Sequence, residues 1–171
     1  MKLLYYTDRV VHPDMTLKVT GYQWYWGYEY PDHGGIALQS NMIPEKELKE
    51  GQVRLLSTDN PVVIPIDTNI QVMTTAADVI HSFAVPAFGV KKDAVPGRAN
   101  ETWIRVTKPG IYYGQCSEIC GTGHAFMPIA ARRPLLMFWL ETKNDPALMA
   151  QTNVLLRRFS GLPFDLVPQK R

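Results

Sequence analysis

From Met15 to about Ile129 the chain runs in short β-prone stretches, and proline, glycine, asparagine or aspartate interrupts each of them. A helix of ordinary length has no room between such breaks, because proline removes a backbone donor and glycine and asparagine favour turns. The candidate strands are Thr16–Tyr30, Val53–Leu56, Val62–Ile66, Ile70–Thr75, Ser82–Val85, Thr102–Val106 and Ile111–Gln115. Turn signals separate them at Pro31-Asp32, Asp59-Asn60-Pro61, Asp67-Thr68-Asn69, Val95-Pro96-Gly97 and Lys108-Pro109-Gly110. Several short strands at this spacing predict a mainly β sandwich or small barrel. Thirteen prolines and 11% aromatic residues agree with that reading. Pro44–Gly51 is charged and reads as an exposed turn or a single helical turn.

After Pro134 the character changes. Asp145-Pro146 can cap and open a helix over Ala147–Arg158, and Gly161, Pro163 and Pro168 leave an irregular end. The chain therefore divides into a lead-in (1–14), a β domain (15–130) and a part-helical tail (131–171). Charge divides in the same way. Residues 1–131 carry 11 basic and 13 acidic side chains, and residues 132–171 carry 7 and 3. A mildly acidic body is the wrong sign for nucleic acid and the right sign for steering a basic partner. No apolar stretch reaches the 18 or so residues that span a bilayer. Asp8 and Arg9 fall where a signal peptide needs its apolar core, so a soluble chain without a secretory signal is expected.

Chemistry concentrates in Cys116-Ser-Glu-Ile-Cys120-Gly-Thr-Gly-His124-Ala-Phe-Met127, which offers two thiols, an imidazole and a thioether. His81 adds a second imidazole from the mouth of a candidate strand. Sulfur and imidazole ligands together favour copper, and a weak methionine ligand is typical of electron-transfer copper sites. Structural zinc would accept the Cys2His2 set and remains the alternative, although it leaves Met127 without a role. A Cys116–Cys120 disulfide would close too short a loop to stabilise much. Covalent haem and thioredoxin-like redox chemistry need C-x-x-C spacings that are absent. A blue copper site needs one cysteine, whereas two suit a pair of copper ions bridged by both sulfurs.

Four segments, Gln23-Trp24-Tyr25-Trp26, Val79-Ile80-His81-Ser82-Phe83, Pro96-Gly97-Arg98 and Tyr112–Pro128, resemble subunit II of the haem–copper cytochrome c oxidases. The resemblance covers about residues 3–129. It implies a cupredoxin-like Greek-key β-barrel or sandwich holding a dinuclear copper A centre. Such a domain lies on the periplasmic side of a bacterial inner membrane, or the intermembrane side of a mitochondrial one. It implies that electrons pass from cytochrome c to haem in subunit I, making the chain part of an oxidoreductase. By the same resemblance Cys116 and Cys120 bridge the coppers and His81 and His124 bind one each. Met127 and the Glu118 carbonyl are then weak ligands, and the Glu118 carboxylate contributes to a magnesium site shared with subunit I. Trp24 matches the electron entry point, Glu29, Asp59 and Asp78 an acidic docking patch, and Arg98 a position near the haem propionates. His12 and His33 are expected at the surface. Family members begin with two membrane helices that have no counterpart here, so Met1 reads as an engineered or expressed start, with membrane attachment only through those helices.

Overall fold

The computed structural model describes residues 12–132 together with Leu3, Tyr5 and Tyr6. These belong to a unit spanning Met1–Arg133, and the tail expectations, including the helix over Ala147–Arg158, lie outside the described residues. The strands are β1 (Met15–Tyr22), β2 (Tyr25–Tyr30), β3 (Ile36–Ser40), β4 (Val62–Val63), β5 (Ile70–Ala76), β6 (His81–Val85), β7 (Val90–Ala94), β8 (Asn100–Ile104), β9 (Ile111–Cys116) and β10 (Pro128–Arg132). They form two five-stranded sheets, in the orders β3-β2-β1-β5-β8 and β4-β10-β9-β6-β7. β1 runs antiparallel to β2 and parallel to β5, so the pairing is mixed.

Alternation of side chains builds the core between the sheets. In β1 and β5 every second residue is buried, Leu17 and Val19 on one and Ile70 and Val72 on the other. A strand that covers a core on one face and meets water on the other gives this period of two. β6 differs, because all five of its residues are buried. It lies between β7 and β9, and its first residue is His81. Trp26 packs edge-on against Phe83 with ring centroids 5.7 Å apart, joining the two sheets beneath that histidine.

Several local expectations need correction. Thr16–Tyr30 is a hairpin rather than one strand, reversing at Gln23-Trp24 with Tyr22 opposite Tyr25. Tyr22, Trp24, Trp26, Tyr28 and Tyr30, which one continuous strand would place on a single face, therefore do not share one. Trp26, Tyr28 and Tyr30 are buried, Tyr22 stacks on Tyr25 at 4.6 Å, and Trp24 is exposed in the turn. Val53–Leu56 is a turn, because the Ser57 side chain accepts from Val53 N and the Ser57 N–H donates back to the Val53 carbonyl. Local side-chain bonding of this kind competes with strand pairing. β3, β7 and β10 were not expected. The outer face of β7 is charged (Lys91, Asp93), which masks its alternation, while β10 opens on a proline, tolerated at the first residue of a strand. Glu45–Glu47 is an exposed single 3-10 turn, as its charge pattern predicts. Among the described residues no helix is long and apolar enough to cross a membrane.

Candidate metal centre

Three chain segments converge at one end of the second sheet. β6 begins with His81, and β9 ends with Cys116, two residues apart in register because Cys116 lies opposite Phe83. The loop after β9 carries Cys120, a 3-10 turn at His124–Phe126 carries His124, and Met127 leads into β10. Strand pairing thus fixes Cys116 and His81, and the return of β10 alongside β9 brings back Met127.

The donor atoms are close. His81 Nδ1 lies 3.8 Å from Cys116 Sγ, and the two sulfurs are 3.9 Å apart. Both cysteines are free thiols, far from the ~2 Å of a disulfide. Cys120 Sγ is 3.5 Å from His124 Nδ1 and 3.5 Å from Met127 Sδ. The Cys116 thiol donates to the Glu118 carbonyl at 3.3 Å. Ligand atoms of His81, Cys116 and Cys120 all lie within 4.8 Å of one another, and His124 stands outside that trio. His81, both cysteines and Met127 are buried, while His124 is half-buried.

Polar neighbours hold these groups in place. The Asp78 carboxylate meets His81 Nε2 at 2.8 Å and accepts from the Val79 and Gln23 N–H groups at 2.7 Å each. Partial burial alone would raise the Asp78 carboxyl, but the hydrogen bonds from His81, Val79 and Gln23 outweigh it and hold it below its ordinary value. That bond turns the other ring nitrogen of His81 toward the sulfurs. The Cys120 carbonyl accepts from the Gln23 side chain at 2.7 Å and from Trp24 Nε1 at 3.2 Å, and the Met127 carbonyl accepts from Trp26 Nε1 at 3.2 Å. Burial, reinforced by the neighbouring Cys116, pushes the Cys120 thiol up to about 12. The Cys120 sulfur is therefore protonated in the metal-free pocket, and a metal must displace its proton to bind. Soft sulfur donors, two imidazoles and a carbonyl fit copper by their chemistry.

The remaining expected residues lie around this cluster. Trp24 is 37% exposed, and its ring covers Gly123 so closely that a Cβ there would collide with it. The Glu118 side chain is exposed beside the cluster. Glu29 pairs with Lys18 at 3.0 Å. Asp59 accepts from Asn41 and Asn60, and Arg98 is exposed in the turn before β8. His12 is exposed, whereas His33 is half-buried, and neither joins the cluster. The sequence reading missed Gln23, Trp26 and the orienting contact of Asp78. Only the three-residue spacing of Asp78 and His81 hinted at the last. It also missed Gly21, whose Cβ would meet His81 Cδ2 at 2.7 Å.

A cupredoxin-like β domain with a sulfur- and imidazole-rich candidate metal site at one end is the class this fold and cluster define. The family model for the periplasmic domain of cytochrome c oxidase subunit II matches residues 15–133, and the chain belongs to that family. It is 49% identical over 160 residues to the "probable cytochrome c oxidase subunit 2" of Rickettsia prowazekii, covering 92% of this chain and 51% of the relative. The corresponding Rickettsia bellii protein is 50% identical over 157 residues, 90% of this chain and 58% of the relative. The chain thus spans about half the length of the curated relatives it matches. The crystal structure of the periplasmic domain of subunit II (CoxB) from Bradyrhizobium japonicum superposes with a TM-score of 0.70 at 46% identity, covering 89% of this chain and all of that one. A mixed disulfide of that domain with the thioredoxin-like TlpAs gives 0.65 at 44%, covering 85% and 95%.

Proposed function

We propose that this chain is the electron-transfer domain of a terminal oxidase. It would hold a dinuclear copper centre, take electrons from cytochrome c and pass them to haem in subunit I, on the periplasmic or intermembrane side of the membrane. The observation that carries this reading is an imidazole at each end of a two-sulfur pair, His81 on Cys116 and His124 on Cys120. A single zinc ion would draw all four donors toward one point, whereas His124 stands outside the trio of His81, Cys116 and Cys120.

His81, Cys116, Cys120 and His124 would be the main copper ligands, with Met127 and the Glu118 carbonyl as weak ones. The bound pair would supply a one-electron carrier whose charge is spread over both ions. The protein's task is then to hold its ligands still. Asp78 fixes the tautomer of His81, Trp26 anchors the Met127 carbonyl, and burial in the sandwich excludes water. Trp24 is the entry point for electrons in this proposal, since it is exposed on one side and hydrogen-bonded to the Cys120 carbonyl on the other. Glu29, Asp59 and Asp78 would steer the basic cytochrome. The Glu118 carboxylate would bind magnesium only when subunit I supplies the rest of that site. A thioredoxin-like reductant also fits, because an oxidised Cys116–Cys120 pair could take up no metal until a dithiol reduced it.

Metal analysis with electron paramagnetic resonance tests the reading. Two coppers per chain and a mixed-valence signal are expected, with loss of the dinuclear signal in Cys116→Ser and in Cys120→Ser. Saturation of the wild-type chain at one copper would sink the proposal.

A further inference from the structure

One residue of the β1–β2 turn reaches both halves of the cluster. The Gln23 backbone N–H donates to Asp78 Oδ2 at 2.7 Å, and Asp78 Oδ1 lies 2.8 Å from His81 Nε2. The Gln23 side-chain amide donates to the Cys120 carbonyl, also at 2.7 Å. Trp24 Nε1 reaches the same carbonyl at 3.2 Å, so Gln23 makes the shorter of the two bonds to an acceptor with two lone pairs. β1 holds the turn at its base. It is paired on both sides, and Gly21 at its end lies directly against the His81 ring.

We propose that Gln23 is a positioning residue of the metal centre. It ties the Cys120 end of the cluster to the Asp78–His81 end and so holds the separation of the two sulfur–imidazole halves. An exposed glutamine gains little from packing, and ordering its side chain costs conformational entropy. Its side chain is held by what the amide donates. The backbone bond to Asp78 survives any side-chain change, so substitution cuts one arm of the tie and leaves the other. The inference rests on the copper reading above, and its test separates the two.

The experiment compares the full chain with Gln23→Met, which keeps the length and removes the donor, and Gln23→Lys, which keeps a donor. Losing an outer partner of this kind typically lowers metal affinity roughly 10- to 100-fold. Gln23→Met is therefore expected to lose copper to a competing chelator at correspondingly lower chelator concentration and to change its hyperfine pattern. Gln23→Lys should recover most of the affinity. In the metal-free chain, iodoacetamide should modify Cys120 faster in Gln23→Met than in wild type. Wild-type affinity, spectrum and thiol rate in Gln23→Met would overturn the proposal. Equal losses in the Met and Lys variants would also overturn it, because they would point to packing rather than the donated bond. Should Gln23→Met fail to fold, Gln23→Glu, which has the same shape and only accepts at neutral pH, carries the same expectation. If the wild-type chain binds fewer than two coppers, the copper reading fails, and the thiol comparison still decides the role of Gln23.

Discussion

Tyr28 and Tyr30 stand two residues apart on the buried face of β2, yet their hydroxyls meet opposite fates. The Tyr30 hydroxyl donates to the Val63 carbonyl and accepts from the Val63 N–H, both at 2.9 Å, and so ties β2 to β4 in the other sheet. The Tyr28 hydroxyl is buried with no partner among the described residues. Tyr30→Phe strands both backbone groups of Val63 and should cost about 1–3 kcal/mol, whereas Tyr28→Phe removes an unpaired polar atom and should be neutral or stabilising. Burial raises the pKa of both phenols, with the neighbouring Tyr30 adding to the shift of Tyr28. The folded state therefore binds more protons than the unfolded chain once pH exceeds about 10, the ordinary tyrosine value. Stability from these groups is complete below that pH and falls as pH rises toward the folded values, by up to about 1.4 kcal/mol per pH unit for each tyrosine. Urea melts between pH 9 and 12 check this (the window set by the ordinary value of about 10). Each Tyr→Phe variant should flatten the slope by one proton, and an unchanged slope in both would refute the account. The sequence marks these residues as aromatic and alternating. It does not say which hydroxyl finds Val63, since that depends on how two distant segments meet.

At the scale of elements, the elements that hold the cluster owe their closeness to residues without side chains. Gly114 in β9 lies under the Ala84 carbonyl of β6, and an added Cβ would strike backbone that pairing fixes on both sides. Gly21 in β1 meets the His81 ring instead. The same substitution should therefore act differently at the two sites. Gly114→Ala must part β6 from β9, and a loss at or above the ~1–3 kcal/mol usual for overpacking is expected, seen as a lower melting temperature. Gly21→Ala should cost less stability but displace His81, so copper uptake should suffer more than the melt. Equal effects on both readouts for both variants would defeat this assignment. The motif Cys116 to Met127 was legible from spacing alone, because a local run of donor residues needs no knowledge of the fold. β7 and β10 were not. The charges of β7 and the small residues of β10 make them strands only because β6, β4 and β9 offer hydrogen-bonding edges. The Gln23-Trp24 reversal was hidden because a hairpin turn without glycine or proline leaves no punctuation.

Across the whole molecule, the proposed electron-transfer role would make separable demands on a partner through charge and through electron entry. Glu29, Asp59 and Asp78 all have internal partners, namely Lys18, Asn41 with Asn60, and His81. Neutralising Asp78 would therefore disturb the metal centre as well as the surface, and it cannot serve as a clean probe of docking. Glu29→Gln and Asp59→Asn can. Each should weaken association with cytochrome c by the worth of an exposed ion pair, about 0.2–1 kcal/mol or roughly 1.5- to 5-fold. The loss should be greatest at low ionic strength and fade as salt screens the charges. Trp24→Phe makes a different demand. It removes the hydrogen bond to the Cys120 carbonyl and the indole edge that covers Gly121 and Gly123, while leaving the acidic side chains in place. Stopped-flow reduction of the copper-loaded chain by ferrous cytochrome c distinguishes the two. A docking defect raises the cytochrome concentration needed for half the limiting rate and leaves the limit itself intact. A transfer defect lowers the limit at every salt concentration and leaves the half-point in place. Trp24→Phe should show the second pattern and the two carboxylate variants the first. A normal limiting rate in Trp24→Phe with an intact copper spectrum would return Trp24 to a packing role over the ligand loop.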